Sequence, residues 1–235
     1  VMIFNSTRKY ISLLGVLLIS LSSCKKLDDV NPTDTIDPSK AFRNVNDLDL
    51  GLLGAYAYLD GNLISSNAIV SDEITVPDEN TVSNTEAYRW IYNSGSGPVT
   101  SAFDDYYVVI DRLNRVLAAI PNVEATGGNT ALTARYKGEL LALRAYSHLE
   151  LLRAYASSYD NGALAVPYMK ASIISYPARE NFETAIVNTK ADVAEAKELI
   201  PASFSDKTRI TRSAVAAIQA RTALYERNWT DAVSY

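Results

Sequence analysis

Cysteine and histidine are almost absent from this 235-residue chain, which contains one of each, Cys24 and His148. One cysteine leaves no partner for an intrachain disulfide and excludes zinc sites built from several cysteines. His148 has no neighbours at Glu-x-x-His or His-Glu-x-x-His spacing, so these common metal motifs are also missing. We therefore expect neither a metal nor a cofactor, and we interpret His148 as a packing or surface residue of a helix.

Basic residues are also fewer than acidic residues. The chain has 22 lysines and arginines against 27 acids, for a net charge of −5. No basic patch is visible in the sequence, although proteins that bind nucleic acids normally carry one. We therefore expect no nucleic-acid partner.

Recognisable catalytic motifs are missing too. The sequence has no glycine-rich phosphate loop and no Gly-x-Ser-x-Gly elbow. Adjacent carboxylates occur at a few places in the chain, whereas a glycosidase needs two carboxylates about 5 to 9.5 Å apart with different pKa values. The Asp-x-Asp-x-Asp-Gly pattern of a calcium loop is also absent. We interpret the adjacent acids as solvated and predict that the protein is not an enzyme; the pairs are Asp72-Glu73, Asp78-Glu79 and Asp104-Asp105.

The chain has one long apolar run, from Ile11 to Leu21, and it is too short to span a bilayer comfortably. Arg8 and Lys9 precede it, which is the layout of a secretory signal peptide over residues 1–23. Leu21-Ser22-Ser23-Cys24 then resembles the lipobox of bacterial lipoproteins, in which the cysteine is lipidated and becomes the first residue after cleavage. The alternative is an ordinary signal peptide followed by an incidental or buried thiol at Cys24.

A lipidated Cys24 predicts a protein that is anchored to a membrane without spanning it. Acyl chains contribute about 0.8 kcal/mol per CH₂, and two or more chains on one residue anchor a protein stably. Residues 24–39 are polar and carry two prolines, so we interpret them as a tether between the lipid and a body that spans residues 40–235. The acids after Lys25-Lys26 resemble signals that send some lipoproteins to the cell exterior.

Apolar spacing predicts that the body is helical. A first helix is expected from Asp47 and Asp49 to about Leu59, with Leu50, Leu53 and Ala57 on one face. A capping box at Ser101 to Asp104 predicts the start of a second helix, which Pro121 should end. Residues 121–130 then form a turn, and a third helix follows over residues 132–156.

Cap residues predict the later helices. Asn181 should cap a fourth helix that Pro201 stops, and Thr211 should cap a fifth. Arg227-Asn228 breaks the fifth helix, and another begins at Trp229 and reaches the last residue, so we expect the natural protein to continue. Helix pairs with small residues at their crossing points indicate tetratricopeptide-like repeats, whose units must stack to bury their apolar faces.

Several segments resemble the SusD/RagB family of nutrient-binding lipoproteins. The strongest resemblance is the helix around Leu143-Arg144-Ala145, with Tyr155 after it and Val166-Pro167 further on. The other matching segments are Phe42 with Asp47-Leu48 and Gly54-Ala55-Tyr56, Tyr106 to Asn114, Arg179 to Pro201, and Thr211 to Trp229. The chain departs from the family pattern at Phe103, Thr189 and Ala156-Ser157, which leaves the class of ligand open.

The resemblance implies a non-catalytic, surface-exposed lipoprotein of the outer membrane. Such a protein binds a glycan or a peptide and lies over a SusC-like, TonB-dependent transporter. The resemblance also implies that the helical half, particularly residues 132–156 and 181–200, packs against the transporter while loops contact the ligand. The alternative function is a helical-repeat scaffold that binds only proteins.

The stretch from Gly61 to Val99 lacks clear periodicity, and a loop of that length is usually functional or disordered. It contains Trp90 and Tyr92, which are our candidate ligand-binding residues because an aromatic face can stack on a sugar ring. The alternative is that Trp90 fastens the loop to the helices, since tryptophan is buried on average.

We expect the polar residues of a second loop, and Asn114 on the second helix, to stabilise the fold. A second loop, residues 157–177, has polar groups that fit an ordinary turn better than a ligand site. Asn114 interrupts an apolar stripe, so we expect its amide to bond a neighbouring backbone. The polar or aromatic residues of the second loop that we considered are Tyr159, Asp160, Asn161 and Tyr168.

Overall fold

The computed structural model describes residues 38–59, 67–71, 73–75, 77–79, 85–91, 93 and 95–235. The predicted signal peptide, Cys24 and most of the tether lie outside these residues, and so does Tyr92. The helices are α1 (Pro38–Ala41), α2 (Val45–Tyr58), α3 (Thr85–Tyr88), α4 (Gly97–Ala125), α5 (Thr130–Tyr155), α6 (Phe182–Leu199), α7 (Arg212–Tyr225) and α8 (Trp229–Ser234). A further helical turn covers residues 67–70.

The predicted all-α class is confirmed. In the described part of the chain, β pairing is limited to one isolated antiparallel bridge between Leu164 and Asn181. The chain divides into two units, Val1–Ala41 and Phe42–Tyr235, and helices α2 to α8 belong to the second. Among the helices described, none combines the length and the apolar character that a membrane crossing requires.

Side-chain caps define the starts of most helices of the second unit. Asn181 accepts a hydrogen bond from the Thr184 amide at α6, and Thr211 accepts one from the Ala214 amide at α7. Both caps were predicted from the sequence and are confirmed. Such a cap contributes about 1 kcal/mol because it satisfies an amide that has no partner inside the helix. The remaining side-chain caps are Asn44, Asn129 and Asn228.

The predicted limits of α4 were wrong at both ends. The helix begins at Gly97 with Pro98 in its first turn, so Ser101 lies inside the helix and does not cap it. The preceding stretch, predicted as a loop, also contains α3 and the turn at 67–70. Pro121 does not end α4, which continues to Ala125. Proline removes one helical hydrogen bond, but Val123 beyond it is buried in the core and extends the helix.

The face of α2 that meets the core was also predicted wrongly. Leu48, Leu52 and Ala55 are buried, whereas Leu50 and Leu53 are exposed. Apolar residues occupy so many positions of this helix that its own sequence does not define one stripe. The contact with α4 selects which side is buried.

Helix α5 lies at the centre of the second unit and contacts α2, α4, α6 and α7. Gly138 allows the end of α6 to approach closely, because a Cβ atom there would lie 2.8 Å from Cγ1 of Ile200. Unlike an ordinary buried helix, α5 places charged and polar residues in the interior, so each of these groups needs a partner. The buried polar residues of α5 are Thr133, Glu139, Arg144, Ser147, His148 and Glu150.

The partner of Arg144 is Asp192 on α6. Nε and Nη2 of the guanidinium donate to the two carboxylate oxygens at 2.7 and 2.8 Å, and both side chains are buried. Nη1 donates to Oδ1 of Asn114 on α4 at 2.8 Å, and the hydroxyl of Tyr168 donates to Asp192 at 2.7 Å. This polar cluster of Arg144, Asp192, Asn114 and Tyr168 therefore joins three helices and one connecting segment.

We predict that Arg144→Met lowers the free energy of unfolding by about 3–5 kcal/mol, because Asp192 is then left buried without its counter-charge. Urea denaturation of the intact protein measures the loss. Asp192→Leu in the Arg144→Met background should recover much of it, since an apolar pair needs no counter-charge.

Lys137 and Glu195 supply the matched control, because they also join α5 to α6 but are about half exposed. Lys137→Met should cost less than about 1 kcal/mol, as is usual for exposed ion pairs. Equal losses in the two single variants would contradict a central role for the buried pair.

Candidate ligand-binding surfaces

The first candidate surface is the turn that follows α3. The Trp90 amide donates to the carbonyl of Ala87 at 3.1 Å, and the Ile91 amide donates to the carbonyl of Glu86 at 2.9 Å. This pattern ends a helix with one residue in the left-handed region, a position that usually holds glycine. Here the residue is Trp90, whose φ is 57°.

A bulky side chain at positive φ is uncommon and costs roughly 1–3 kcal/mol, and strain of this kind concentrates at functional sites. The turn directs two large apolar side chains into solvent, since Trp90 is 67% exposed and Ile91 is 65% exposed. Such an indole can stack on the apolar face of a sugar ring. The ligand role of Trp90 and Tyr92 stays a prediction, and of the two only Trp90 lies among the described residues.

The second candidate surface is a groove of about 440 Å³ between α4 and residues 167–177. Sequence reasoning missed it, although Ile173-Ile174 and Tyr176 in an otherwise irregular segment were a usable signal. Its lining is mainly apolar and consists of Phe103, Tyr107, Ile110, Asp111, Asn114, Pro167, Met169, Ala171, Ile173, Ser175, Tyr176 and Pro177.

Four hydrogen bonds hold the wall of this groove against the helices. On α4, the Tyr107 hydroxyl donates to the carbonyl of Pro167 and the Asn114 amide donates to the carbonyl of Met169, both at 3.0 Å. The Met169 amide donates to Nε2 of His148 at 2.9 Å, and the Ser172 hydroxyl donates to Asp111 at 2.6 Å. The predicted structural role of Asn114 is confirmed, because its amide bonds a neighbouring backbone.

His148 is a buried packing residue of α5. Its Nδ1 lies 3.0 Å from the carbonyl of Arg144, and since Nε2 accepts from Met169, the proton is assigned to Nδ1. Burial lowers the pKa of His148 to about 3, so the ring is neutral near neutral pH. The ring stacks on Tyr168 with their centroids 3.8 Å apart. His148 therefore positions the groove wall.

Residues 172–177, which we call the apolar arm, contribute to the groove lining and extend into solvent. Ile174 and Tyr176 have exposed fractions of 100% and 99%, and Ile173 is 62% exposed. The chain returns to the helices at Arg179, whose guanidinium donates to the carbonyls of Tyr155, Leu164 and Ala165 at 2.9 Å.

The other residues of the second loop make contacts that stabilise the fold or lie in an exposed turn. Tyr159 packs against the rings of Phe182 and Tyr225, and its hydroxyl donates to the carbonyl of Arg153. Tyr168 belongs to the polar cluster described above, while Asp160 and Asn161 form an exposed turn. Among the paired acids that the structure describes, Glu73, Asp78, Glu79 and Asp104 are exposed, as expected of solvated carboxylates, whereas Asp105 is partly buried.

The chain as a whole is similar to known proteins. The model of the SusD-like family, described as "Starch-binding associating with outer membrane", matches residues 27–224. A curated relative, SusD-like protein P38 of Formosa agariphila, is 22% identical over 92% of this chain and 42% of its own length.

Solved structures share the fold. A SusD-like carbohydrate-binding protein from Bacteroides vulgatus superposes with a TM-score of 0.69 at 23% identity, over 83% of this chain and 44% of that one. A laminarin-binding SusD-like protein gives a TM-score of 0.60 at 19% identity, over 82% of this chain and 42% of that one. The tetratricopeptide-like helical fold predicted from the sequence is thereby confirmed.

This chain spans less than half the length of these relatives. The family model nevertheless covers most of the chain itself, from the predicted tether to the end of α7. The chain therefore belongs to the SusD-like family.

Proposed function

We propose that this chain is part of a lipoprotein that captures glycans at the outer membrane and passes them to a TonB-dependent transporter. The observation that carries the glycan proposal is the exposed Trp90, held in a strained turn in a protein of a starch-binding family. A laminarin-binding structural neighbour supports the same class of ligand.

The geometry supports binding through stacking. An indole that is already exposed does not need to leave a packed site before it contacts a sugar ring, and its two χ angles limit the entropy lost on binding. The hydrogen-bonded turn fixes the direction in which the side chain projects, which lowers the cost of ordering it.

Two substitutions at Trp90 separate binding from stability. Trp90→Ala and Trp90→Gly should each weaken binding of laminarin or starch oligosaccharides by about tenfold, or about 1.4 kcal/mol, a common loss for an aromatic anchor. Trp90→Gly should melt at a higher temperature than Trp90→Ala, because glycine adopts positive φ without strain. Calorimetric titration and thermal melts of the intact protein measure both effects.

Trp229→Ala is the matched control, since Trp229 is the other tryptophan and is 62% exposed on α8. Its glycan affinity should equal that of the parent protein. Trp90 variants that keep glycan affinity but lose stability would show instead that Trp90 fastens its loop to the helices.

The anchor proposal rests on Cys24 and predicts that Cys24→Ser abolishes incorporation of labelled palmitate. The variant should also leave the membrane fraction or accumulate with its leader uncleaved, because no thiol remains to be lipidated. Fractionation of whole cells with anti-protein antibody measures the distribution. A Cys24→Ser protein that stays in the membrane fraction at the parent's processed size would rule out the lipid anchor.

Attachment to the same membrane as a transporter would raise the effective concentration of the two proteins, so a modest interface would be sufficient for association.

Helix α5 is buried along most of its length, which leaves α6 as the more accessible of the two helices expected to make the contact. Glu198 is exposed in the last turn of α6. A cation there complements the helix dipole, so Glu198→Lys should preserve the helix.

We predict that the intact protein purified from mildly solubilised outer membrane brings a TonB-dependent barrel with it. Glu198→Lys should reduce the recovered barrel without changing glycan affinity, while Trp90→Ala should do the reverse. Recovery of the lipoprotein without any such barrel, at low salt, would reject the transporter proposal and favour the scaffold.

A further inference from the structure

The second loop contains the one Asn-Gly pair of this sequence, Asn161-Gly162. The two residues occupy the centre of a β-turn, in which the Ala163 amide donates to the carbonyl of Asp160 at 2.8 Å. Both are exposed, and among the described residues neither the side-chain amide of Asn161 nor the backbone amide of Gly162 has a hydrogen-bond partner. The turn therefore holds a free carboxamide next to an unshielded backbone nitrogen.

An asparagine side chain in this position can react without an enzyme. The Gly162 nitrogen loses its proton to solvent and bonds to Cγ of Asn161, and Nδ2 leaves as ammonia. Water then opens the resulting five-membered succinimide at either of its two carbonyl carbons, so the product is aspartate or isoaspartate. The net reaction consumes one water molecule and releases one ammonia, and it needs neither a cofactor nor an oxidant.

Glycine makes this nitrogen accessible, because it has no Cβ atom to cover the approaching Cγ. The space around Gly162 is open, since a Cβ atom built there would meet no atom within 4 Å, and its φ is not in the left-handed region. Asn46 provides the comparison, because it is also exposed but is followed by Asp47, whose amide is bonded to Oδ1 of Asn44 at 3.1 Å. Exposure, a free amide and a following glycine thus coincide at Asn161.

The first turn of α6 is bonded to this loop. The Glu183 amide donates to the carbonyl of Asn161 at 3.2 Å, and the Phe182 amide donates to the carbonyl of Ala163 at 2.9 Å. Isoaspartate routes the chain through Cγ, which inserts a CH₂ group into the backbone between these two acceptors and turns the Asn161 carbonyl into part of a carboxylate. The two hydrogen bonds cannot then both keep their present geometry.

We propose that Asn161 is a site of spontaneous deamidation, and that isoaspartate at this position loosens the contact between the second loop and the first turn of α6. The aspartate product keeps the backbone intact and adds a carboxylate close to the N-terminus of α6, where the helix dipole favours negative charge. The two products therefore affect the same helix end differently. This site is separate from Trp90 and does not depend on glycan binding.

Peptide mapping of the native intact protein, incubated at mildly alkaline pH, tests the modification. Trypsin releases residues 154–170 as one peptide in which Asn161 is the only amide side chain, so a change of mass from amide to acid is assigned to this residue. We expect the conversion to increase with time and with pH, because the attacking nitrogen must lose a proton. Gly162→Ala should slow it at least about tenfold, since alanine places a methyl group beside that nitrogen.

Conversion in denatured protein without conversion in native protein would overturn the proposal, because it would show that the fold protects Asn161. Equal rates in the parent protein and in Gly162→Ala would overturn it as well.

Hydrogen exchange at the amides of Phe182 and Glu183 tests the loosening of α6. Protein that contains isoaspartate, identified by labelling with an isoaspartyl methyltransferase, should exchange these amides at least about tenfold faster than unincubated protein, as expected for a local opening. Asn161→Asp is the matched control, because it carries the same charge on an unaltered backbone, and it should exchange them at the parent's rate. Isoaspartate-containing protein that exchanges these amides no faster than Asn161→Asp would contradict the loosening.

Discussion

The ion pair between Arg144 and Asp192 is the interaction on which the arrangement of this protein depends. A guanidinium is costly to bury, and a bidentate carboxylate with further hydrogen bonds offsets that cost only in a narrow geometry. Here Asp192 supplies the carboxylate from α6, while Asn114 from α4 occupies the remaining side of the guanidinium. Helices α4, α5 and α6 must therefore meet at one point.

The same cluster positions one of the two candidate surfaces. Tyr168 bonds Asp192 and stacks on His148, and His148 and Asn114 hold the backbone of Met169 from two helices. The connection from α5 to α6 is thus held against the helices at residues 167–169, just before the apolar arm begins. The strained turn at Trp90 is built differently, because it rests on local hydrogen bonds after α3. One surface is therefore positioned by tertiary contacts and the other by its own turn.

The two surfaces differ in chemistry as well as in position. Trp90 offers a single exposed aromatic face, which suits a ligand that stacks and then leaves. The groove and arm combine aliphatic side chains with the aromatic rings of Phe103, Tyr107 and Tyr176, and the Asp111 carboxylate there accepts hydrogen bonds from neighbouring side chains. Exposed aliphatic surface of this kind is costly in water at about 25 cal/mol per Å².

Local signals in the sequence were sufficient to predict the all-α class, the caps at Asn181 and Thr211 and the buried role of Asn114. Caps and periodicity depend on residues a few positions apart, so they can be recognised without knowing the fold. The continuation of α4 past Pro121, the buried face of α2 and the groove depended on contacts between distant segments. Arg144 shows the difference most clearly, because its partner Asp192 lies 48 residues away. Their pairing depends on the packing of α5 against α6, which only the tertiary structure decides.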